Sequence, residues 1–206
     1  MILNKGGVLS VANGKKEQII RTARRLFYEQ GISTTSMDQI AEAVPVSKMT
    51  IYKYFGSKDG LIEQVVTAIN EETHADFAQM MEQSNDAIEL MHHLLRYQKM
   101  NDYSAEFIND LVNVYPEYTQ QMIEYNEQKN MPLFEEMVFR GQQNGQIRKD
   151  ISPHLLVLYL SSMKEFMAKP GRLEPFTNMN VLADQFISLL IHGISNTPFT
   201  TEPPKE

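Results

Sequence analysis

Cysteine is absent from the 206 residues of this chain. Its absence removes a disulfide framework, a thiolate metal site and a cysteine nucleophile, and it fits a reducing compartment, the cytoplasm. Long apolar runs are missing as well. The stretch LLVLYL at 155–160 falls far short of the roughly 18 residues that a membrane-spanning helix needs, so no membrane partner is expected. Nine prolines and ten glycines are ordinary for this length, which sets aside fibrous and low-complexity classes. No segment alternates apolar and polar residues long enough to specify a sheet.

Catalytic signatures are also lacking. The sequence contains no HExxH, no P-loop and no GxGxxG. Of its histidines, His74, His92, His93, His154 and His192, only His74 has an acidic neighbour at a metal-like spacing, Glu71 three residues earlier. The adjacent His92 and His93 point to different sides of a helix. No catalytic residue, metal ligand or cofactor is therefore assigned, and the chain reads as a non-enzyme. The competing reading is a helical enzyme or binding protein that uses its body alone, which metal analysis of the purified protein would begin to separate.

What is present is helical periodicity and an uneven charge. Residues 1–60 carry nine Lys and Arg against five Asp and Glu, a net +4, whereas residues 61–206 carry ten against twenty-one, a net −11. A basic head on an acidic body is the charge distribution of a DNA-reading domain attached to a part that does not touch DNA. The expected organisation is an all-α chain: a loose arm at 1–14, a three-helix head at 15–57, a helical body at 58–196 and a disordered proline-rich tail at 197–206. The paired glycines Gly6-Gly7 and the dipeptide Asn13-Gly14 suggest the arm, and TPFTTEPPKE suggests the tail.

Within the head, Ile19, Ile20, Ala23, Leu26 and Phe27 recur at helical spacing before Gly31 stops the first helix. Ser36 is placed to cap a second helix at about 37–43, which Val44-Pro45 ends. Ser47 is placed to cap a third, at about 48–55, whose Ile51 and Phe55 sit four residues apart and face the core. Gly56 ends it, and Ser57 opens a long fourth helix to about Gln83. Further helices are expected at about 86–100, 104–114, 117–144, 152–168 and 178–193, with Pro132 kinking or breaking the long one.

The segment SMDQIAEAVPVSKMTIYKYFGSKDGL, preceded by ARRLFYEQGISTT, closely resembles the DNA-binding head of TetR-type transcriptional regulators. The resemblance covers about 45 residues. It implies a helix-turn-helix whose third helix enters the major groove, on a helical body that binds an effector and dimerises. Lys48, Met49, Thr50 and Tyr52 are then the expected groove residues. Lys48 can meet a guanine edge or a phosphate, and Thr50 and Met49 a thymine methyl. Tyr54 and Lys58 are the expected backbone clamps, with Thr35, Ser36, Ser47 and Lys53 beside them. The sequence departs from the family at the turn, where Val44 and Pro45 replace a small residue and glycine, and at Met49, where glycine is common.

In the body, the resemblance implies an effector cavity and a dimer built from the last two long helices. Tyr103, Phe107, Met122, Tyr125, Phe134 and Met137 are the candidate effector residues, adaptable aromatic and thioether side chains suited to a small apolar molecule. Leu155, Tyr159, Met163, Phe186 and Leu190 are the candidate dimer residues. The expected partners are thus a palindromic double-stranded operator, a small-molecule effector and a second copy of the chain. The expected function is transcriptional regulation by sequence-specific DNA binding, as a repressor that its effector releases.

Overall fold

A computed structural model describes residues 5–96, 103–168 and 179–195. These residues form ten α-helices: α1 (Lys5–Gln30), α2 (Met37–Ala43), α3 (Lys48–Phe55), α4 (Lys58–Gln83), α5 (Ala87–Arg96), α6 (Ala105–Asn109), α7 (Pro116–Tyr125), α8 (Met131–Gln143), α9 (Pro153–Ala168) and α10 (Met179–Ile194). Among the described residues the only β pairing is an isolated bridge between Ile147 and Ser195.

The chain divides into two compact units. The first comprises residues 1–73 and 99–126, and the second residues 74–98 and 127–206. Each has its own core. In the first unit Ile19, Phe27, Ile40, Ile51, Leu61 and Phe107 are buried together. In the second, Met91, Phe134, Met137, Ile147, Leu156 and Ile191 are buried together. Continuous apolar burial of this kind is the main stabilising term in each unit.

Local chemistry explains the boundaries in the head. Gly31, at φ +91°, ends α1 by turning left-handed, a conformation without penalty only for glycine. Ser36 opens α2 with a complete capping box: its hydroxyl accepts from the Gln39 amide N–H, and the Gln39 side chain accepts from the Ser36 amide N–H. Ser47 opens α3 by accepting from the Thr50 N–H at 3.1 Å. Gly56, at φ +75°, closes α3.

Three features differ from the sequence expectation. α1 begins at Lys5, so the segment expected to be a loose arm is helical over 5–14. Its paired glycines cost helix propensity, about 1 kcal/mol each, but no proline interrupts Val8, Leu9, Val11 and Ala12. The helix expected at 104–114 is α6 followed by a π-helical turn, Asp110–Val114, closed by the Tyr115 N–H on the Asp110 carbonyl at 2.8 Å. The helix expected at 117–144 is α7 and α8 joined by a second π turn, Asn126–Asn130. In both cases a proline stands two residues beyond the turn, Pro116 or Pro132. Proline supplies no N–H and its ring crowds the carbonyl four residues earlier; before Pro132 the widened ladder keeps the chain helical, whereas before Pro116 the helix is interrupted at Tyr115 and the proline opens α7. The expected tail at 197–206 lies outside the described residues.

In the second unit, Gly141 brings α8 against α5. A Cβ there would stand 2.6 Å from the Ala87 Cβ and 2.8 Å from Ile147 Cδ1. The Arg140 guanidinium donates to the Met81 carbonyl at 3.1 Å and to Asn85 Oδ1 at 2.5 Å, closing the end of α4. The buried Gln142 amide donates to the carbonyls of Arg148 and Ile151, fixing the loop before α9.

Candidate nucleic-acid interface

The helix-turn-helix is α2, a tight turn and α3. The turn is a Schellman-type closure: the Val46 N–H reaches the Ala41 carbonyl at 3.1 Å and the Val44 N–H reaches Ile40 at 3.1 Å. Its pivotal position, where glycine is normal, holds Pro45 at φ +23°. Proline has no N–H for the second Schellman bond and its ring prefers φ near −65°. The turn is therefore formed with one bond fewer and with backbone strain at Pro45.

α3 shows two faces. Ile51 is fully buried and Phe55 nearly so, which fixes the helix on α1 and α2. Lys48, Met49, Tyr52 and Lys53 face solvent, with Met49 80% exposed, and Thr50 is half-buried. The exposed Ser47 hydroxyl pairs with that of Thr50 at 2.8 Å, and the exposed Ser36 is engaged in its capping box. An eight-residue rod with one apolar stripe inward and a polar, methionine-bearing stripe outward is the shape a major groove accepts.

Lys48 is not free on this surface. Its ammonium donates to Asp38 Oδ2 at 2.7 Å, and that hydrogen bond raises the lysine above its ordinary pKa. Nothing in the local sequence marks Asp38 as its partner. It stands in the first turn of α2, where a carboxylate suits the helix dipole, and only the folded arrangement brings it to a lysine ten residues on.

Three expected contacts are placed differently. Thr35 is fully buried; its hydroxyl donates to the Gly31 carbonyl at 2.7 Å and accepts from Gln30 Nε2 at 3.0 Å. Its side chain is thus withdrawn from any phosphate, because a β-branched residue with a hydroxyl fits the junction of α1 and α2. Tyr54 is half-buried with its ring tilted against Phe55, on the core side of α3. Lys58 is half-buried and donates to the Ile32 carbonyl at 2.6 Å. Burial pulls its pKa below the usual lysine range, opposed by Asp110 and Asp59.

The candidate effector residues divide between the units. Tyr103 and Phe107 pack their rings against Tyr28, with centroids 4.6 and 4.9 Å apart, and serve the first core. Burial pushes the Tyr28 phenol well above its ordinary pKa, with Tyr103 adding to the shift. Met122 packs on the same core, and Tyr125 is half-buried in the first unit. Phe134 and Met137 are buried in the second core. Aromatic and methionine content did not distinguish a cavity wall from ordinary packing.

Of the candidate dimer residues, Leu155 and Tyr159 are exposed, together with Leu158, Val181 and Leu189, the last at 76%. Phe186 is half-buried, and Leu190 belongs to the second core. The side chain of Met163 lies outside the described residues.

A capped helix-turn-helix with a solvent-facing recognition helix defines the class, a DNA-binding regulator. Residues 19–65 match the family described as bacterial regulatory proteins, tetR family. The chain is 24% identical over 196 residues to the HTH-type transcriptional regulator TtgR of Pseudomonas putida, covering 87% of this chain and 92% of that one. It is 26% identical over 182 residues to the biofilm operon icaADBC HTH-type negative transcriptional regulator IcaR of Staphylococcus aureus, covering 85% and 96%. Its fold is similar to that of the transcriptional regulator FadR of Bacillus subtilis, solved in complex with stearoyl-CoA, with a TM-score of 0.57, 18% identity and coverage of 86% and 98%. The chain is a DNA-binding transcriptional regulator whose residues 19–65 match the head of the tetR family.

Proposed function

We propose that this regulator is a homodimeric repressor that binds a palindromic operator through α3 and is released from it by a small, largely apolar effector. The observation that carries the reading is the outward stripe of α3, with Lys48, Met49, Tyr52 and Lys53 in solvent while Ile51 and Phe55 anchor the helix. A single short helix reads too few base pairs for useful specificity, so two copies related by a two-fold axis are needed. The exposed Leu155, Leu158, Tyr159 and Leu189 on α9 and α10 form an apolar surface suited to that second copy.

Repression agrees with the negative regulator IcaR among the relatives, and an apolar effector agrees with the stearoyl-CoA complex of FadR. Asn70 supports an effector that carries a hydrogen-bond acceptor. The residue is 7% exposed and its Nδ2 has no hydrogen-bond partner, an arrangement that costs about 1–3 kcal/mol until an acceptor arrives. α4 runs from Lys58, in the first unit, to Gln83, in the second, so it is the covalent route by which effector binding would reach the head. An effector with equal affinity for the bound and released states would change nothing.

Selection of bound duplexes from a random pool tests the proposal. It should return a two-fold symmetric site with half-sites about 34–36 Å apart, or a multiple of that. Recovery of asymmetric sequence, or of none, would overturn it.

A further inference from the structure

The first unit contains a buried carboxylate that the DNA-binding reading does not use. Asp110, 4% exposed, opens the π turn after α6. Its Oδ2 accepts from the Ser33 N–H at 2.7 Å and its Oδ1 accepts from the Ser33 hydroxyl at 2.7 Å. Both oxygens are thus committed to one residue of the loop between α1 and α2, 77 positions earlier in sequence. Hydrogen bonds to an ionised group are short and about twice as strong as neutral ones, and a buried carboxylate without them would be costly.

The same loop is held at each neighbouring residue. Gly31 lets the π turn approach: a Cβ there would lie 2.9 Å from the Glu106 Cβ and 3.0 Å from Asp110 Oδ2. Lys58, the first residue of α4, donates to the Ile32 carbonyl at 2.6 Å, and Asp110 acts on its charge. In the last turn of α1, the Ser104 N–H donates to the Tyr28 carbonyl at 2.8 Å. One step forward, Thr35 is buried and Ser36 caps α2. The loop therefore has little freedom, and α2, on which α3 docks, starts from it. Single π turns are frequent at functional sites.

We propose that Asp110 is a positioning residue for DNA binding: through Ser33 it fixes the loop that launches α2, and so holds α3 in the pose that meets the duplex. The inference rests on the DNA-binding reading above and adds the residue through which the segment after α6 acts on the head. A loop already held in its bound pose has less ordering cost to meet on binding. Releasing Ser33 raises that cost without touching any residue on the DNA-facing surface.

The experiment uses the full-length protein and a duplex selected by it from a random pool. Asp110→Asn, Ser33→Ala and the double variant are compared by duplex affinity, by exchange of the Ser33 amide hydrogen and by thermal unfolding. Val65→Ala, in the same core but away from the loop, serves as a control for lowered stability. Asp110→Asn should speed Ser33 exchange and weaken duplex binding roughly tenfold, the scale of a lost charged hydrogen bond. Adding Ser33→Ala should cost little more, since the two residues act as one contact. Val65→Ala should lower the unfolding temperature with duplex affinity unchanged. An Asp110→Asn protein that binds as tightly as wild type, losses that simply add, or an equal loss in Val65→Ala would overturn the inference alone. Failure of the wild-type protein to select any duplex would sink the DNA-binding reading and this inference with it, a result distinguishable from the others.

Discussion

The two units of this regulator spend their surfaces differently. In the first, the exposed face of α3 is polar and its determinants are short-range: Ser36, Ser47 and Gly56 set the ends of the helices, and Ile51 with Phe55 sets the inward stripe. In the second, the exposed faces of α9 and α10 carry Leu155, Leu158 and Leu189, apolar groups that gain free energy only when something covers them. The first surface suits a charged, hydrated groove and the second suits protein. A chain that presents both carries the proposed groove contacts and the proposed dimer surface on different units.

The largest effect is expected on the assembly side. Leu155→Asp combined with Leu189→Asp should turn the proposed dimer into monomers in sedimentation, because covering a leucine contributes about 1.5–3 kcal/mol and a buried unpaired carboxylate opposes it. Operator affinity should then fall by orders of magnitude while the thermal unfolding of the monomer stays cooperative. On the recognition side, Ile51→Ala removes a fully buried side chain and should lower stability by about 2–5 kcal/mol in urea unfolding.

Lys48→Ala should weaken binding to the selected duplex by about 1–3 kcal/mol and relax preference at one base pair if the lysine reads a base. A uniform loss across sequences would make it a phosphate contact. Asp38→Asn should act in the opposite direction, tightening selected and random duplexes alike in gel shifts, because it removes a carboxylate from a surface that faces phosphates. Pro45→Gly should stabilise the head by about 1 kcal/mol. It relieves the positive φ and restores a Schellman donor, partly offset by the freer unfolded chain.

The smallest effect concerns pH. The Tyr28 phenol is raised in the fold. Below its ordinary pKa, near 10, both states hold the proton and pH has no effect through this group. Above it the unfolded chain releases the proton first, so stability falls as pH rises. Tyr28→Phe should flatten the loss of stability seen on alkaline titration by circular dichroism.

How much of this was legible in the sequence follows from range. The caps at Ser36 and Ser47, the glycine stops at Gly31 and Gly56 and the Ile51–Phe55 pair depend on residues within four positions of each other, and the family likeness in residues 17–61 drew on the same features. The partners of Lys48 and Asp110 lie 10 and 77 positions away, and no local pattern marks them. Thr35 read as surface because threonine before a helix is ordinarily polar punctuation; its burial depends on the Gly31 carbonyl turning toward it. Pro132 reads from the sequence as a kink or break, but whether a helix breaks or widens around a proline depends on the packing of both halves. Tyr103, Phe107, Phe134 and Met137 were grouped by composition, and composition cannot separate two cores.

The central claim, that the outward face of α3 reads the duplex, is tested most directly at Met49. With methyl-labelled methionine in the full-length protein, titration of the selected duplex should shift the Met49 methyl resonance, leave those of the buried Met91 and Met137 in place, and have no such effect with a scrambled duplex. A Met49 methyl that stays unmoved while the protein saturates with its selected duplex would contradict the account.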